Sequence, residues 1–353
     1  MCSSDLPDLF LVNGPDKNSL FLQKADFSFE DVAQQAGVDG GDAWGAGAAA
    51  VDFDGDGDLD LYVCNYDSPN QLFVNDGTGI RFTDEAEARG LAMIDASLMP
   101  SFADHDRDGD LDLFVVTYRY YRPGGRPAKT PIVMRNGRPK ILPAFEKYYD
   151  LRRVGPSDWT VDTCGRPDRL FRNDGTGHFT DVSENAGFTE KGHGLSATWW
   201  DHDGDGWLDL YVANDFTDPE HLYHNNGDGT FTDVIEQAMP YTSWSSMGAD
   251  CADLNNDGLL DLFVADMAAT SHYKSKVTMG DMGDRRWFLE NAWPRQIMRN
   301  NLFINTGTPR FMETAFLCGL AGTDWTWAIK LADFDNDGRV DVFVTNEIGR
   351  AHV

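Results

Sequence analysis

The chain has 353 residues, 41% of them apolar, which is enough for a large core and unlike a disordered acidic tail. Its formal charge of −29, from 58 acidic against 29 basic side chains, excludes a nucleic-acid binder, whose phosphate partner needs a basic surface. No apolar run is long enough to cross a bilayer as a helix, and none of the five cysteines (Cys2, Cys64, Cys164, Cys251, Cys318) forms a CxxC pair, so no thiolate zinc site is expected.

Taken in chain order, the opening MCSSDL matches nothing that follows. Together with EIGRAHV at 347–353 it reads as an artificial end, so a missing export signal says nothing about the parent protein. Asp8, in LPDLFLV, is the tail of a unit whose first full copy is DFDGDGDLDLYV at 52–63. The nine-residue frame Asp-x-Asp/Asn-x-Asp-Gly-x-x-Asp then recurs, closing at Asp60, Asp112, Asp209, Asp261 and Asp341. Counted from Asp8, the intervals are 52, 52, 97, 52 and 80 residues, a period near 50 that marks a blade or solenoid array.

Small residues precede each frame, as in WGAGAAAVD and LSATWWD, and suit an innermost strand crowded by its neighbours. After each frame, apolar residues at positions 8, 10 and 12, with an aromatic at position 11 (Tyr62, Phe114, Tyr211, Phe263, Phe343), predict a strand covered on both faces. Then QLFVNDGTGIRFTDE, RLFRNDGTGHFTDV, HLYHNNGDGTFTDV and NLFINTGTPRFMET each place two short alternating runs around a turn, a hairpin signal. The expected fold is therefore all-β, a β-propeller of four-stranded blades forming a single domain over 7–346, with no sustained helical period. The two long intervals mark insertions at about 118–165, basic and rich in Pro and Tyr, and at about 267–299. Long loops of this kind tend to carry function.

The acidic frames have the chemistry of a calcium loop. Carboxylates at positions 1, 3, 5 and 9 can converge, Gly at position 6 allows the sharp turn, and position 7 can lend its carbonyl. The ligand sets are Asp52/Asp54/Asp56/Asp60 with Asp58, Asp104/Asp106/Asp108/Asp112 with Asp110, and Asp201/Asp203/Asp205/Asp209 with Trp207. Two more are Asp253/Asn255/Asp257/Asp261 with Leu259, and Asp333/Asp335/Asp337/Asp341 with Arg339. All-oxygen donors favour Ca2+, and five ions would bring the net charge from −29 to about −19. An EF-hand is excluded, because position 12 is valine within a strand where that motif needs a bidentate Glu and a helix.

The frame followed by LDLYV, with hairpins such as RLFRNDGTGHFTDVSENAGF, closely resembles the FG-GAP (VCBS) repeat of integrin α propellers. NNLFINTG and TDWTWAIKLADFDNDGRVDVFVTN are most similar to bacterial relatives of cartilage acidic protein, which usually carry a C-terminal ASPIC/UnbV domain. The resemblance covers residues 8–346 and implies a seven-bladed ring, incomplete here, in an exported protein that is extracellular, periplasmic or on the cell surface. It also implies that Asp8 is a ligand whose own loop is absent.

No nucleophile elbow, HExxH or phosphate loop is present, and GAGAAA at 45–50 leads into a metal loop instead of a helix. His105 and His202, at frame position 2, are expected to be solvated, and His193, His221 and His224 structural. Trp44, Trp244, Trp325 and Trp327 are expected to pack in the core. The leading expectation is a non-enzymatic adhesion or interaction scaffold binding protein or glycan on its loops. The alternative is a propeller polysaccharide lyase whose Arg, Lys and Tyr in 118–165 neutralise and deprotonate a uronate.

Overall fold

Both faces of the central strand of the second sheet are apolar because that sheet packs between two others. The computed structural model describes residues 7–78, 80–216, 218–279 and 286–346, so the terminal segments 1–6 and 347–353 lie outside it. The described chain divides into two compact units, one holding residues up to 118 with 167–190, the other 119–166 with 191 onward.

In the first unit the first sheet is Leu9–Leu11, Ser19–Gln23 and Phe29–Asp31. The second is Trp44–Val51, Asp60–Pro69, Gln71–Asn75 and Phe82–Asp84. The third is Ile94–Ala103, Asp112–Thr117, Arg169–Asn173 and Phe179–Asp181, joined to the second where Tyr66 pairs with Ala96. On the central strand Asp60–Pro69, Leu61 and Val63 pack with Leu20 of the first sheet and with Val32 and Ala33, which follow its last strand. Tyr62 and Cys64, on the other face, pack with Leu113, Val115 and Phe171 of the third. Each such fully buried side chain contributes about 1.5–3 kcal/mol.

The second unit repeats the plan. Its fourth sheet is Gly194–Trp200, Asp209–Asn214, His221–Asn225 and Phe231–Asp233, and its fifth is Ser246–Ala252, Asp261–Ala268, Asn301–Ile304 and Met312–Glu313. The sixth has Asp324–Ala332 and Asp341–Asn346, linked to the fifth through Met267 opposite Trp325. The fold is all-β and of propeller type, as the repeat period predicts, with four strands in each complete sheet.

Each strand leading into a frame carries a bulge a few residues before it: at Gly45/Gly47, Ser97/Met99, Gly194/Ser196, Ser246/Ala249 and Thr326/Ala328. There the backbones of adjacent sheets nearly touch. A Cβ on Gly47 would lie 2.2 Å from the Leu98 carbonyl oxygen, and one on Gly248 would lie 2.9 Å from that of Trp327. Ser196 instead uses its hydroxyl, donating to the Met247 carbonyl at 2.8 Å. This contact accounts for the small residues before each frame.

Helix is present where none was expected. Single-turn helices follow the last strands of the first four sheets, at Ala33–Ala36, Ala86–Arg89, Ser183–Ala186 and Ile235–Ala238. An aspartate two residues before each start (Asp31, Asp84, Asp181, Asp233) accepts its first free N–H. The 267–299 insertion contains helices His272–Met279 and Arg286–Asn291. The 118–165 insertion is two β-hairpins, Ile132–Arg135 with Arg138–Ile141 and Tyr149–Arg153 with Trp159–Thr163. Two tryptophans depart from the expected core packing: Trp44 is 53% exposed and Trp327 46%, whereas Trp244 is buried.

Candidate metal centres

Each frame is a tight loop between an inner strand and a central strand. Gly57, Gly109, Gly206, Gly258 and Gly338 at position 6 have φ between +82° and +97°, as the turn requires. Position 4 is also left-handed, in Gly55, Arg107, Gly204, Asn256 and Asn336. The Gly/Asn bias there was readable and went unread.

The loop wraps around the position-1 carboxylate. Asp201 Oδ1 accepts the Gly204 and Asp205 amides at 2.7 and 3.1 Å, and its Oδ2 accepts Gly206 at 2.9 Å. Asp52, Asp253 and Asp333 use both oxygens in the same way. The position-5 carboxylate takes the position-7 amide in every frame, at 2.8–3.0 Å. Position 7 therefore has only its carbonyl left to offer an ion. Its side chain covers the hairpin glycine of the same sheet: a Cβ on Gly227 would meet Trp207 at 2.8 Å, and one on Gly175 would meet Asp110 at 2.8 Å.

The carboxylates converge. One oxygen from each of Asp52, Asp54 and Asp56 lies within 4.8 Å of the others, as for Asp104/Asp106/Asp108 and Asp201/Asp203/Asp205. Position 9 joins position 3 in the third and fourth sheets, where Asp106 meets Asp112 and Asp203 meets Asp209. In the fifth sheet Asn255 Oδ1 accepts the Asp257 amide at 2.9 Å and its Nδ2 reaches Asp257 Oδ2 at 2.9 Å.

The last frame is built in the same way. Asp335 Oδ1 accepts the Asp337 amide at 3.2 Å and Asp337 Oδ1 accepts the Arg339 amide at 2.9 Å, so the loop keeps its hydrogen-bonded shape. Asp335 and Asp337 are exposed, as are Asp54 and Asp56, Asp203 and Asp205, and Asn255 and Asp257 at the same positions, and Asp341, which accepts the Phe334 amide at 3.0 Å, is half-buried.

Position 9 is the buried floor of the complete sheets. Asp112, Asp209 and Asp261 each accept the position-2 amide on Oδ2 and the amide of a hairpin asparagine on Oδ1. Asp60 accepts Asn75 N at 2.7 Å, and Asp8 accepts Gln23 N at 2.9 Å, so Asp8 holds the floor position of the first sheet. Three floor or wall oxygens, Asp60 Oδ2, Asp104 Oδ1 and Asp106 Oδ1, are buried with no hydrogen-bond partner. Burial, with the Asp54 and Asp56 charges added, pushes the Asp60 carboxyl up to about 6. Asp54, Asp106 and Asp261 are raised as well, first by burial and then by neighbouring carboxylates. A hard cation placed among these oxygens would relieve both the repulsion and the missing partners.

Sequence reasoning missed the hairpin asparagines. Asn75, Asn173, Asn225 and Asn305 each cap the hairpin glycine with Oδ1, at 3.0–3.2 Å, while giving their own amide to the floor aspartate. Two of them also reach into the adjacent frame: Asn173 Nδ2 donates to the Phe53 carbonyl at 3.3 Å, and Asn305 Nδ2 to that of His202 at 2.9 Å. The signal was an Asn at a fixed offset before Gly, read only as turn chemistry.

His105 and His202 are corrected. Both are buried, with Nδ1 against the floor carboxylates Asp112 and Asp209. Burial works against the His202 charge, yet Asp209 holds its pKa above the usual value. Position 2 points inward in the second sheet too, where Phe53 is buried.

In the second unit the 118–165 insertion is tied down by a polar chain. Thr163 Oγ1 lies 3.0 Å from His193 Nε2 and accepts Arg119 Nη1 at 3.0 Å. His193 Nδ1 pairs with Asp218, which also accepts Arg152 at 2.5 Å. Tyr120 is buried beneath Lys147 and Arg166, whereas Tyr121 is exposed beside Arg119. The two hairpins frame a groove of about 1000 Å³ lined by Ile132, Met134, Arg138, Arg153 and Trp159, and Arg153 also stacks on Trp287 of the other insertion. Cys64, Cys164, Cys251 and Cys318 are free thiols.

These features define a class: propeller-type sheets with a recurrent acidic loop at the entry to the central strand. The FG-GAP-like repeat profile matches residues 5–63, 52–115, 159–212 and 201–264, more than half of the chain, and the chain belongs to that family. It is 28% identical over 214 residues to cartilage acidic protein 1 of Xenopus tropicalis, covering 60% of this chain and 27% of that protein. Against the human protein of the same name it is 25% identical over 246 residues, covering 69% and 31%. The match thus spans less than a third of each relative. Looser structural likenesses include an Agrocybe aegerita lectin that recognises terminal N-acetylglucosamine (TM-score 0.38, 16% identity, 96% of this chain and 84% of that one). A Trypanosoma rangeli sialidase gives a TM-score of 0.33 at 9% identity, covering 98% and 58%. Among the described residues no helix is long and apolar enough to cross a membrane.

Proposed function

We propose that the chain is a calcium-loaded, extracellular propeller scaffold that presents its insertions to a protein or glycan partner. The observation that carries the calcium reading is the set of buried, unpartnered carboxylate oxygens inside the frames: Asp60 Oδ2, Asp104 Oδ1 and Asp106 Oδ1. Oxygen-only donors, several carboxylates and a flexible loop suit calcium better than magnesium or zinc. Loops of extracellular modules bind at about 10⁻⁴–10⁻³ M, which fits calcium outside cells. Isothermal titration of chelator-stripped protein tests this; no heat of calcium binding at millimolar concentration would refute it.

The interaction reading rests on the groove between the insertion hairpins, where exposed Trp159 stands beside Arg138 and Arg153. An aromatic face with flanking guanidinium groups suits a carboxylated sugar or an acidic peptide. A second, catalytic reading draws on Arg119, which stacks on exposed Tyr121 and bonds Thr163 beside His193. That pairing could neutralise and deprotonate a uronate. A panel of glycans, assayed for both retention and new unsaturated products, separates the two: retention without products favours the scaffold, and products favour the lyase.

A further inference from the structure

Away from the frames, the second unit buries two carboxylates with no counter-charge among the described residues. Glu220 and Asp266 are both 0% exposed, and neither has a Lys, Arg or His partner there. Both are bonded to the same short turn. Glu220 Oε1 accepts Ser243 N at 3.2 Å and the Ser246 hydroxyl, while Asp266 Oδ2 accepts Trp244 N at 2.9 Å and Ser245 N at 3.3 Å. The second oxygen of each, Glu220 Oε2 and Asp266 Oδ1, is buried without a partner. So are Tyr211 OH, Ser245 Oγ and Asn301 Oδ1, all on residues no more than 1% exposed. Asn301 reaches the same turn, its Nδ2 donating to Ser243 Oγ at 2.6 Å.

At the same two positions no other sheet buries a pair of acids, although the third has Asp168 where Glu220 stands. Asp266 stands five residues after its floor aspartate, where the second, third and fourth sheets have Asn65, Thr117 and Asn214. Glu220 stands where the second and fifth have Asn70 and Asn300. In the second sheet the neutral version closes completely. Asn70 donates to Tyr62 OH at 2.9 Å and accepts Asn65 N at 2.8 Å, and Tyr62 OH donates to the Leu91 carbonyl at 3.2 Å. An acid in place of an amide in each of two neighbouring sheets leaves buried carboxylate oxygens with no amide to meet them, an arrangement that costs several kcal/mol unless something positive joins it. Left alone, burial would push Glu220 up to about 8, against the pull of the nearby Tyr211 hydroxyl, and Asp266 to about 7, with Asp215 adding to the latter.

We propose that Glu220 and Asp266, with Tyr211 OH, Ser245 Oγ and Asn301 Oδ1, form an internal site for one divalent hard cation of the calcium class, separate from the five acidic frames. Two carboxylates balance a divalent charge, the neutral oxygens complete a donor set without nitrogen or sulfur, and that composition selects calcium over zinc. The proposal does not depend on the frames, because an ion here and an ion in a frame can each be present without the other.

The test is metal content per chain, measured after gel filtration in calcium, for wild type, Asp266→Asn and Glu220→Gln. Each variant should lose one equivalent, and the calcium-dependent rise in Tm should shrink. The amides match Asn214 and Asn70 in sister sheets, so folding is expected. Unchanged metal content with an equal or higher Tm would show that the pair carries protons instead, and would overturn the proposal. Anomalous diffraction from wild-type crystals grown in calcium needs no variant: a peak between Glu220 and Asp266 supports the site, and no peak there overturns it.

Discussion

Asn225 shows how much one side chain can do in this fold. It donates its amide to the Asp209 floor and its Nδ2 to the Leu208 carbonyl, and its Oδ1 accepts the Gly227 amide, all at 2.8–3.1 Å. Asn225→Ala removes both side-chain bonds in a buried setting and should cost about 2–4 kcal/mol, read as a lower urea midpoint. Gly206, at φ +90°, is constrained differently: Gly206→Ala should lose about 1–2 kcal/mol through backbone strain alone, with the hydrogen-bonded loop otherwise intact. Tyr241 bears on pH. Burial, with a hydrogen bond to Glu313 added, raises its phenol to about 12. A raised folded pKa means the folded state keeps its proton longer, so stability from this group is full below pH ~10 and is lost as pH climbs toward 12. Alkaline melting should fall less steeply for Tyr241→Phe than for wild type, since the other buried phenols and thiols are common to both. At this scale the sequence misled at His105 and His202. Alternation belongs to strands, and position 2 sits in a turn whose side chain folds under the loop to meet the floor carboxylate.

At the scale of elements, the acidic frame was the most legible part of the chain, because its ligand spacing and its glycine are dictated by one task. The central strands followed from their alternation. Position 8 was overread as strand: Leu59 is 58% exposed and Leu260 39%, ahead of the strands that begin at position 9. The four single-turn helices could not be seen, since four residues are too few to show a 3.6-residue period and their starts rest on one aspartate each. The insertions were legible as excess length only; their hairpins and helices owe more to contacts such as Arg153 on Trp287 than to local pattern. A direct test of one element is the pair Asp201→Asn with Asp205→Asn. It should remove one calcium equivalent by titration and leave the far-ultraviolet dichroism near wild type, because an amide oxygen can keep the Gly204 and Asp205 bonds made to Asp201 Oδ1, with only the Gly206 bond to Oδ2 lost.

For the molecule as a whole, repeat counting yielded the blade plan and the family, while nothing in the period announced the division into two compact units. The buried acids Glu220 and Asp266 were equally invisible, because they lie outside any motif and only burial makes them unusual. If the frames hold ions, folding and metal are linked, and chelation should lower Tm sharply with recovery on adding calcium; each tenfold excess over the dissociation constant adds about 1.4 kcal/mol per site. Melting that ignores chelator would break that link.

The asparagine that leaves its own hairpin to grip a neighbour's loop has a consequence for how ions would arrive if the frames hold them. Asn173 holds the Phe53 carbonyl and Asn305 that of His202, so ordering one loop steadies the anchor of its neighbour within each of two pairs of sheets. Loading should therefore be coupled inside each pair, giving a titration steeper than independent sites allow. Asn305→Ala should flatten that curve without abolishing any single binding event.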